Sequence, residues 1–129
     1  MLVGEVATRK PVCVDQDLTI VVASNLMRIY QVADLVVTRQ REGKLMPGGV
    51  LSARDIVTRV IATELDPTVL TAGDMVWSGP AGARVTDSVS ETVRFLQATG
   101  RDSVPVIDGE GGLAGVVSLE DLLWALAAK

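Results

Sequence analysis

The stretch Gly49-Val50-Leu51-Ser52-Ala53-Arg54-Asp55-Ile56-Val57 returns near the C-terminus as Gly115-Val116-Val117-Ser118-Leu119-Glu120-Asp121-Leu122-Leu123. In both copies a glycine opens a short β-branched run, a serine stops it, and an aspartate three residues on falls in the first turn of an amphipathic helix. The two serines and the two aspartates each stand 66 positions apart (118 − 52 and 121 − 55) in a chain of 129 residues. The chain is an internal duplication with halves at 1–65 and 66–129. A half of that size buries too little surface to be secure alone, so the two are expected to share one body.

The halves run through the same elements. Val3 to Thr8 parallels Ala72 to Trp77, each reading as a short helical turn, the second capped by Thr71 and Asp74. Pro11-Val12-Cys13-Val14 reads as a brief strand, and Pro80 to Val85 as a looser copy of it. The series Leu18, Val22, Leu26 and Ile29 marks one face of a helix ending near Val32. Its partner begins at Ser88 with Glu91, buries Val89, Val93 and Leu96, and stops at Gly100. Two hairpins follow, Leu35 to Leu51 around Arg41-Glu42-Gly43-Lys44 and Ser103 to Val117 around Asp108 to Gly112. The closing helices place Ile56, Val57, Val60 and Ile61 on one face, and Leu119, Leu122, Leu123 and Leu126 on the other copy's. The expected fold class is α+β, as two tandem β-α-β-β-α repeats packed with pseudo-two-fold symmetry.

Composition narrows the chemistry. A net charge of −4 and a pI near 4.7 are unsuited to a phosphate-backbone footprint, so nucleic acid is not an expected partner. No apolar run approaches the ~20 residues of a bilayer span, despite a mean hydropathy of +0.36. The first ten residues carry Glu5, Arg9 and Lys10 and show no leader-like apolar core, so a cytoplasmic location is expected. There is no histidine, the commonest general base and zinc ligand. The single Cys13, between Val12 and Val14, reads as a buried structural thiol. No phosphate-binding glycine loop, paired-cysteine metal site or nucleophile elbow is present, and the chain is not expected to be an enzyme.

Ser52 with Asp55 and Ser118 with Asp121 are therefore the chemistry left to explain. A serine at a strand-to-helix junction sits beside free backbone N–H groups and suits an anion. A carboxylate accepts from paired hydroxyls, and Arg54 can grip a phosphate with two parallel hydrogen bonds. The same spacing also makes an ordinary helix-start cap worth about 1 kcal/mol.

The duplicated order and the Gly-Val-Leu-Ser-Ala-Arg-Asp-Ile-Val motif at 49–57 resemble a pair of cystathionine β-synthase (CBS) domains, a Bateman module, over essentially the whole chain. The connector at 62–67 and the Val-x-x-x-Gly-Asp-Met run at 69–75 that follows are similar to stand-alone bacterial and archaeal pairs. The resemblance implies a regulatory or sensory module that binds an adenosine-containing ligand between its repeats: AMP, ADP or ATP foremost, S-adenosylmethionine or NAD otherwise, with no cofactor required. It implies a first site of Thr8, Pro11, Val12, Val36, Ser52, Arg54 and Asp55. The implied second site is Ser78, Ala81, Arg101, Ser103, Val104, Ser118 and Asp121. In each, the aspartate meets ribose and the serine, with a neighbouring base, meets phosphate. No metal site is implied.

The copies are unequal. Glu120 stands where the first copy has Arg54, which raises the cost of a polyanion there. The first copy's strand entry, Ala33-Asp34-Leu35-Val36-Val37, lacks the proline that the resemblance implies and that Val104-Pro105-Val106 has, while setting Asp34 near the expected phosphate. These acids favour the alternative reading, a structural interaction module with vestigial clefts. The resemblance also implies a homodimer formed through helices, regulating some other protein. Trp77 and Trp124 read first as core and second as interface anchors.

Overall fold

The structure, a computed structural model, describes residues 1–8, 11–76 and 82–128. The first repeat holds β1 (Cys13–Asp15), α1 (Ile20–Tyr30), β2 (Asp34–Arg41), β3 (Lys44–Ser52) and α2 (Ala53–Ile56), which runs on as a π-helical turn over Val57–Ile61. The second holds α3 (Ala72–Val76), β4 (Ala83–Arg84), α4 (Val89–Thr99), β5 (Ser103–Ile107), β6 (Leu113–Ser118) and α5 (Leu119–Ala127). A 3-10 turn at Val3–Glu5 leads the chain, as α3 leads the second half. Each repeat forms a three-stranded sheet, β1-β2-β3 and β4-β5-β6, with the first pair parallel and the second antiparallel. The α+β duplication expected from sequence is present.

Local chemistry explains the boundaries. Thr19 caps α1 by accepting from Val22 N–H at 3.3 Å, and Ser88 caps α4 by accepting from Glu91 N–H at 3.1 Å. Gly100 ends α4 in the left-handed region at φ 69°. The β2–β3 hairpin turns at Glu42 and Gly43, both left-handed (φ 52° and 78°), as a two-residue turn matching strand twist requires. The equivalent β5–β6 turn is held differently: one carboxylate oxygen of Asp108 accepts from the N–H groups of Glu110 and Gly112, both at 2.9 Å.

The leading turns are exchanged. Val3 and Ala72 are both fully buried, yet Val3 lies in the second repeat's core and Ala72 in the first's. Val3 and Gly4 donate to the carbonyls of Asp87 and Val85 at 2.9 and 3.0 Å, while Ala72 and Gly73 donate to those of Leu18 and Gln16, both at 2.8 Å. The packed units are therefore 11–76, and 1–8 with 82–128. One core contains Val14, Ile20, Leu35, Val37, Leu51, Val60 and Met75. The other contains Val89, Leu96, Val104, Val106, Val117 and Leu122.

Which helix face is buried departs in part from the sequence reading. On α1 the buried stripe is Ile20, Ala23 and Met27, while Val22 and Ile29, expected inside, are 41% and 56% exposed. The helix starts two residues after Leu18 and is apolar on two sides, so periodicity alone does not choose between them. In the closing helices Ile56, Val60 and Leu122 are buried as expected, but Val57, Ile61 and Leu123 face outward. Trp124, read first as core, is 69% exposed. Trp77 lies outside the described residues. Cys13 is half-buried, and burial pushes its thiol above the ordinary value, in keeping with an inert structural role.

Candidate functional site

β3 of the first repeat packs beside β5 of the second, so the motif that ends β3 opens onto the other repeat. There Ser52, Arg54 and Asp55 line a cleft of about 360 Å³ together with Arg59, Thr99, Gly100, Arg101, Asp102 and Ser103, with Met75 and Val76 adding an apolar side. Three arginines converge on a cleft whose lining holds two carboxylates, Asp55 and Asp102. The balance is positive, in a protein whose net charge is negative.

The motif is built as a reciprocal cap. Ser52 Oγ accepts from Asp55 N–H at 3.0 Å, and Asp55 Oδ2 accepts from Ser52 N–H at the long distance of 3.4 Å. Each group keeps bonding capacity: the Ser52 hydroxyl retains its proton, and Asp55 retains Oδ1. Arg54 is exposed, and its guanidinium makes no hydrogen bond or ion pair with the described residues. Arg59, five residues on, reaches the same cleft through the π-helical turn and donates from one terminal nitrogen to Met75 O at 3.2 Å. Sequence reading missed Arg59. Its signal lay in the five-residue step from Arg54, which places two side chains together only where a helix widens to i→i+5 bonding.

The expected first-site set is divided by the fold. Thr8, Pro11, Val12 and Val36 do not join Ser52, Arg54 and Asp55. They line a separate cleft of about 300 Å³ with Val50, Asp34 and, from the second repeat, Val116. The exchange of leading turns is the physical reason. Thr8 is bonded to Val116 on β6, so the first repeat's opening segment lies against the second repeat's final strand. Conversely Arg101 and Ser103, expected in the second site, line the first cleft with the Ser52 motif. Val104 points into the second core and is 1% exposed. Ser78 and Ala81 lie outside the described residues.

Asp34 also borders an open groove of about 710 Å³ that carries Ser118, Glu120 and Asp102 beside Leu119, Leu123, Trp124 and Ala127. Ser118 caps α5, its Oγ accepting from the backbone N–H of Asp121 at 3.1 Å, and the Asp121 side chain is exposed in the helix's first turn. Every charged side chain lining this groove and the 300 Å³ cleft is acidic: Asp34, Asp102 and Glu120. Partial burial, then the carboxylates of Asp102 and Asp55, hold Asp34 above the ordinary aspartate range. The two sides thus differ in sign, with the three arginines on the Ser52 side. Among the described residues no group of three or more His, Cys, Asp or Glu is arranged to hold a metal ion, and no helix is long and apolar enough to cross a membrane.

Comparison with known proteins gives a match to the CBS domain in both halves, over residues 3–62 and 72–128. An uncharacterised protein of Methanopyrus kandleri is 26% identical over 94% of this chain, which spans 60% of that relative's length. Among solved structures, a CBS domain protein from Pyrobaculum aerophilum complexed with AMP is 27% identical, with a TM-score of 0.81 and full coverage of both chains. The zinc-bound Hypoxic Response Protein I superimposes with a TM-score of 0.82 at 24% identity, covering 97% of this chain and 98% of its own.

Proposed function

The chain belongs to the CBS domain family, whose members are regulatory modules, and from that premise we propose that it senses an adenosine-containing nucleotide in the cleft at the Ser52 motif. The observation that carries this reading is the convergence of Arg54, Arg59 and Arg101 on one cleft with Ser52, Asp55 and Ser103. Arginine is the side chain best shaped for phosphate, through a planar fork and a permanent charge. Asp55 Oδ1 is the acceptor for ribose hydroxyls, and the Ser52 hydroxyl is a donor toward phosphate. Met75 and Val76 offer an apolar surface for a base. AMP, ADP and ATP rank ahead of S-adenosylmethionine, whose sulfonium carries positive charge into an arginine-rich cleft. The AMP bound by the Pyrobaculum protein supports the same ligand class.

The acidic side takes no phosphorylated ligand on this reading. Thr8, Pro11, Val12 and Val36 line one cavity on the pseudo-symmetric side and Ser118 the other, and Asp34, which borders both, and Glu120 oppose a polyanion there. The module acts as a homodimer and transmits occupancy to a regulated protein. Isothermal titration with AMP, ADP, ATP, NAD and S-adenosylmethionine tests the assignment. One phosphorylated ligand bound per chain is expected, and the absence of heat or thermal stabilisation with all five would overturn it.

A further inference from the structure

Arg54 and Arg59 border the same cleft, but the fold holds them differently. Arg54 has no partner among the described residues, whereas one terminal nitrogen of Arg59 donates to Met75 O at 3.2 Å. A guanidinium carries five N–H donors, so this bond uses one and leaves four. The acceptor is a neutral carbonyl, and among the described residues no carboxylate lies within ion-pair distance of Arg59. Its side chain is tethered while its charge stays uncompensated.

Both ends of the tether are fixed by the backbone. On one side the helix widens after Ile56, where Ala62 and Leu65 donate to the carbonyls of Val57 and Val60, five residues back, at 2.8 and 3.0 Å. Residues five apart in a regular α-helix point about 140° away from each other. The widened turn is what keeps Arg59 on the cleft side with Arg54. On the other side the Met75 side chain is 8% exposed and packed in the first core. Val76 next to it lies so close to β3 that a Cβ at Gly49 would stand 3.1 Å from Val76 Cβ. The end of α3 thus presents Met75 O as a fixed acceptor.

We propose that Arg59 fixes the ligand's phosphate and so sets the preference for phosphorylated over unphosphorylated ligands, with the Met75 carbonyl as its brace. This rests on the nucleotide reading above and adds which arginine decides it. Arg54 supplies charge without position. A free arginine gives up its rotamer freedom on closing over a ligand, and Arg59 has already given up much of it in the folded chain. A lysine at the same place has the charge without the planar fork, so it cannot hold the carbonyl and present two parallel donors to a phosphate.

Calorimetric titration of AMP and of adenosine into the intact chain, Arg59→Lys and Arg54→Lys tests it. Arg59→Lys is expected to weaken AMP by about tenfold and adenosine by less than about twofold, because only AMP brings a phosphate to the fork. Arg54→Lys keeps its charge and has no fixed geometry to lose, so AMP is expected to weaken by only about twofold to threefold. Both arginines are exposed, and urea unfolding without ligand is expected to give the three chains one midpoint. An Arg59→Lys loss as large for adenosine as for AMP would leave Arg59 a support of the cleft wall and overturn the assignment. So would an Arg54→Lys loss for AMP that equals or exceeds that of Arg59→Lys. An intact chain that binds none of the five ligands titrated above fails earlier, at the nucleotide reading itself.

Discussion

Thr8 and Val116 are joined by two backbone hydrogen bonds, Thr8 N–H to Val116 O at 2.8 Å and Val116 N–H to Thr8 O at 3.0 Å. Through this pair the opening segment of the chain covers the outer edge of its last strand, β6. An exposed strand edge invites pairing with other chains, and here the first repeat occupies the edge of the second. The same contact separates Thr8 from the Ser52 motif of its own repeat.

The closeness of that contact makes Gly115 irreplaceable. A Cβ at position 115 would lie 2.3 Å from the Thr8 carbonyl oxygen, a backbone atom that cannot swing aside. Gly115→Ala is expected to lower unfolding free energy by about 2 kcal/mol in urea titration. Gly109 has nothing within 4 Å of the same position, so Gly109→Ala serves as the control and stays within about 0.5 kcal/mol. Equal effects at the two glycines would show that Thr8 is not held on β6.

Val3 is fully buried in the second core. Val3→Ala is expected to cost about 2 kcal/mol, with loss of packing but no change in the hydrogen bonds to Asp87 and Val85. Leu2, 43% exposed, is expected to tolerate alanine. A neutral Val3→Ala by thermal or urea unfolding would count against the exchanged leading turn.

Nucleotide binding ranks the two copies of the motif. Asp55→Ala is expected to weaken the phosphorylated ligand by about tenfold or more, through loss of its acceptor for ribose. Asp121→Ala, on the acidic side, should leave affinity within about twofold while lowering stability by about 1 kcal/mol through its helix start. Calorimetric titration that reverses this order would move the site to the Ser118 motif.

Acid reveals Asp34. Its carboxyl is easier to protonate in the folded chain than in the unfolded one, so protonation favours the native state. The contribution is complete below the ordinary aspartate value of 3.8 and is lost as pH rises through the higher native value. Asp34→Asn is therefore expected to be more stable than the parent at pH 7, with the gap closing as pH falls toward 4. A gap that widens on acidification would mean that burial, with Asp102 and Asp55 beside it, does not raise the Asp34 carboxyl.

The fold was largely legible because duplication lets weak local signals confirm one another. Ser88 with Glu91, Thr71 with Asp74, Gly100 and both hairpins stand where capping and turn chemistry placed them. What sequence could not supply was which residues face each other across the axis. Thr8 and Ser52 belong to one repeat and different clefts, while Ser52 and Arg101 belong to different repeats and one cleft. Periodicity describes a helix by itself, so it marked Val22, Val57 and Leu123 as apolar without saying that a second surface would be left uncovered. Arg59 was hidden by a helical step that is not the usual one.

The exchanged leading turns bear on how such a chain could arise. A single repeat, made alone, would lack the turn that completes its core and would carry one that fits only another copy. Two such molecules would have to trade turns, at a rate set by concentration. Joining them through the short stretch from Glu64 to Thr71 makes the trade intramolecular, and the effective concentration of each turn then rises to millimolar order. Once joined, each half is free to change its charged residues without spoiling a symmetric contact with itself. Arg54 and Glu120, at equivalent positions with opposite charge, are what that freedom permits.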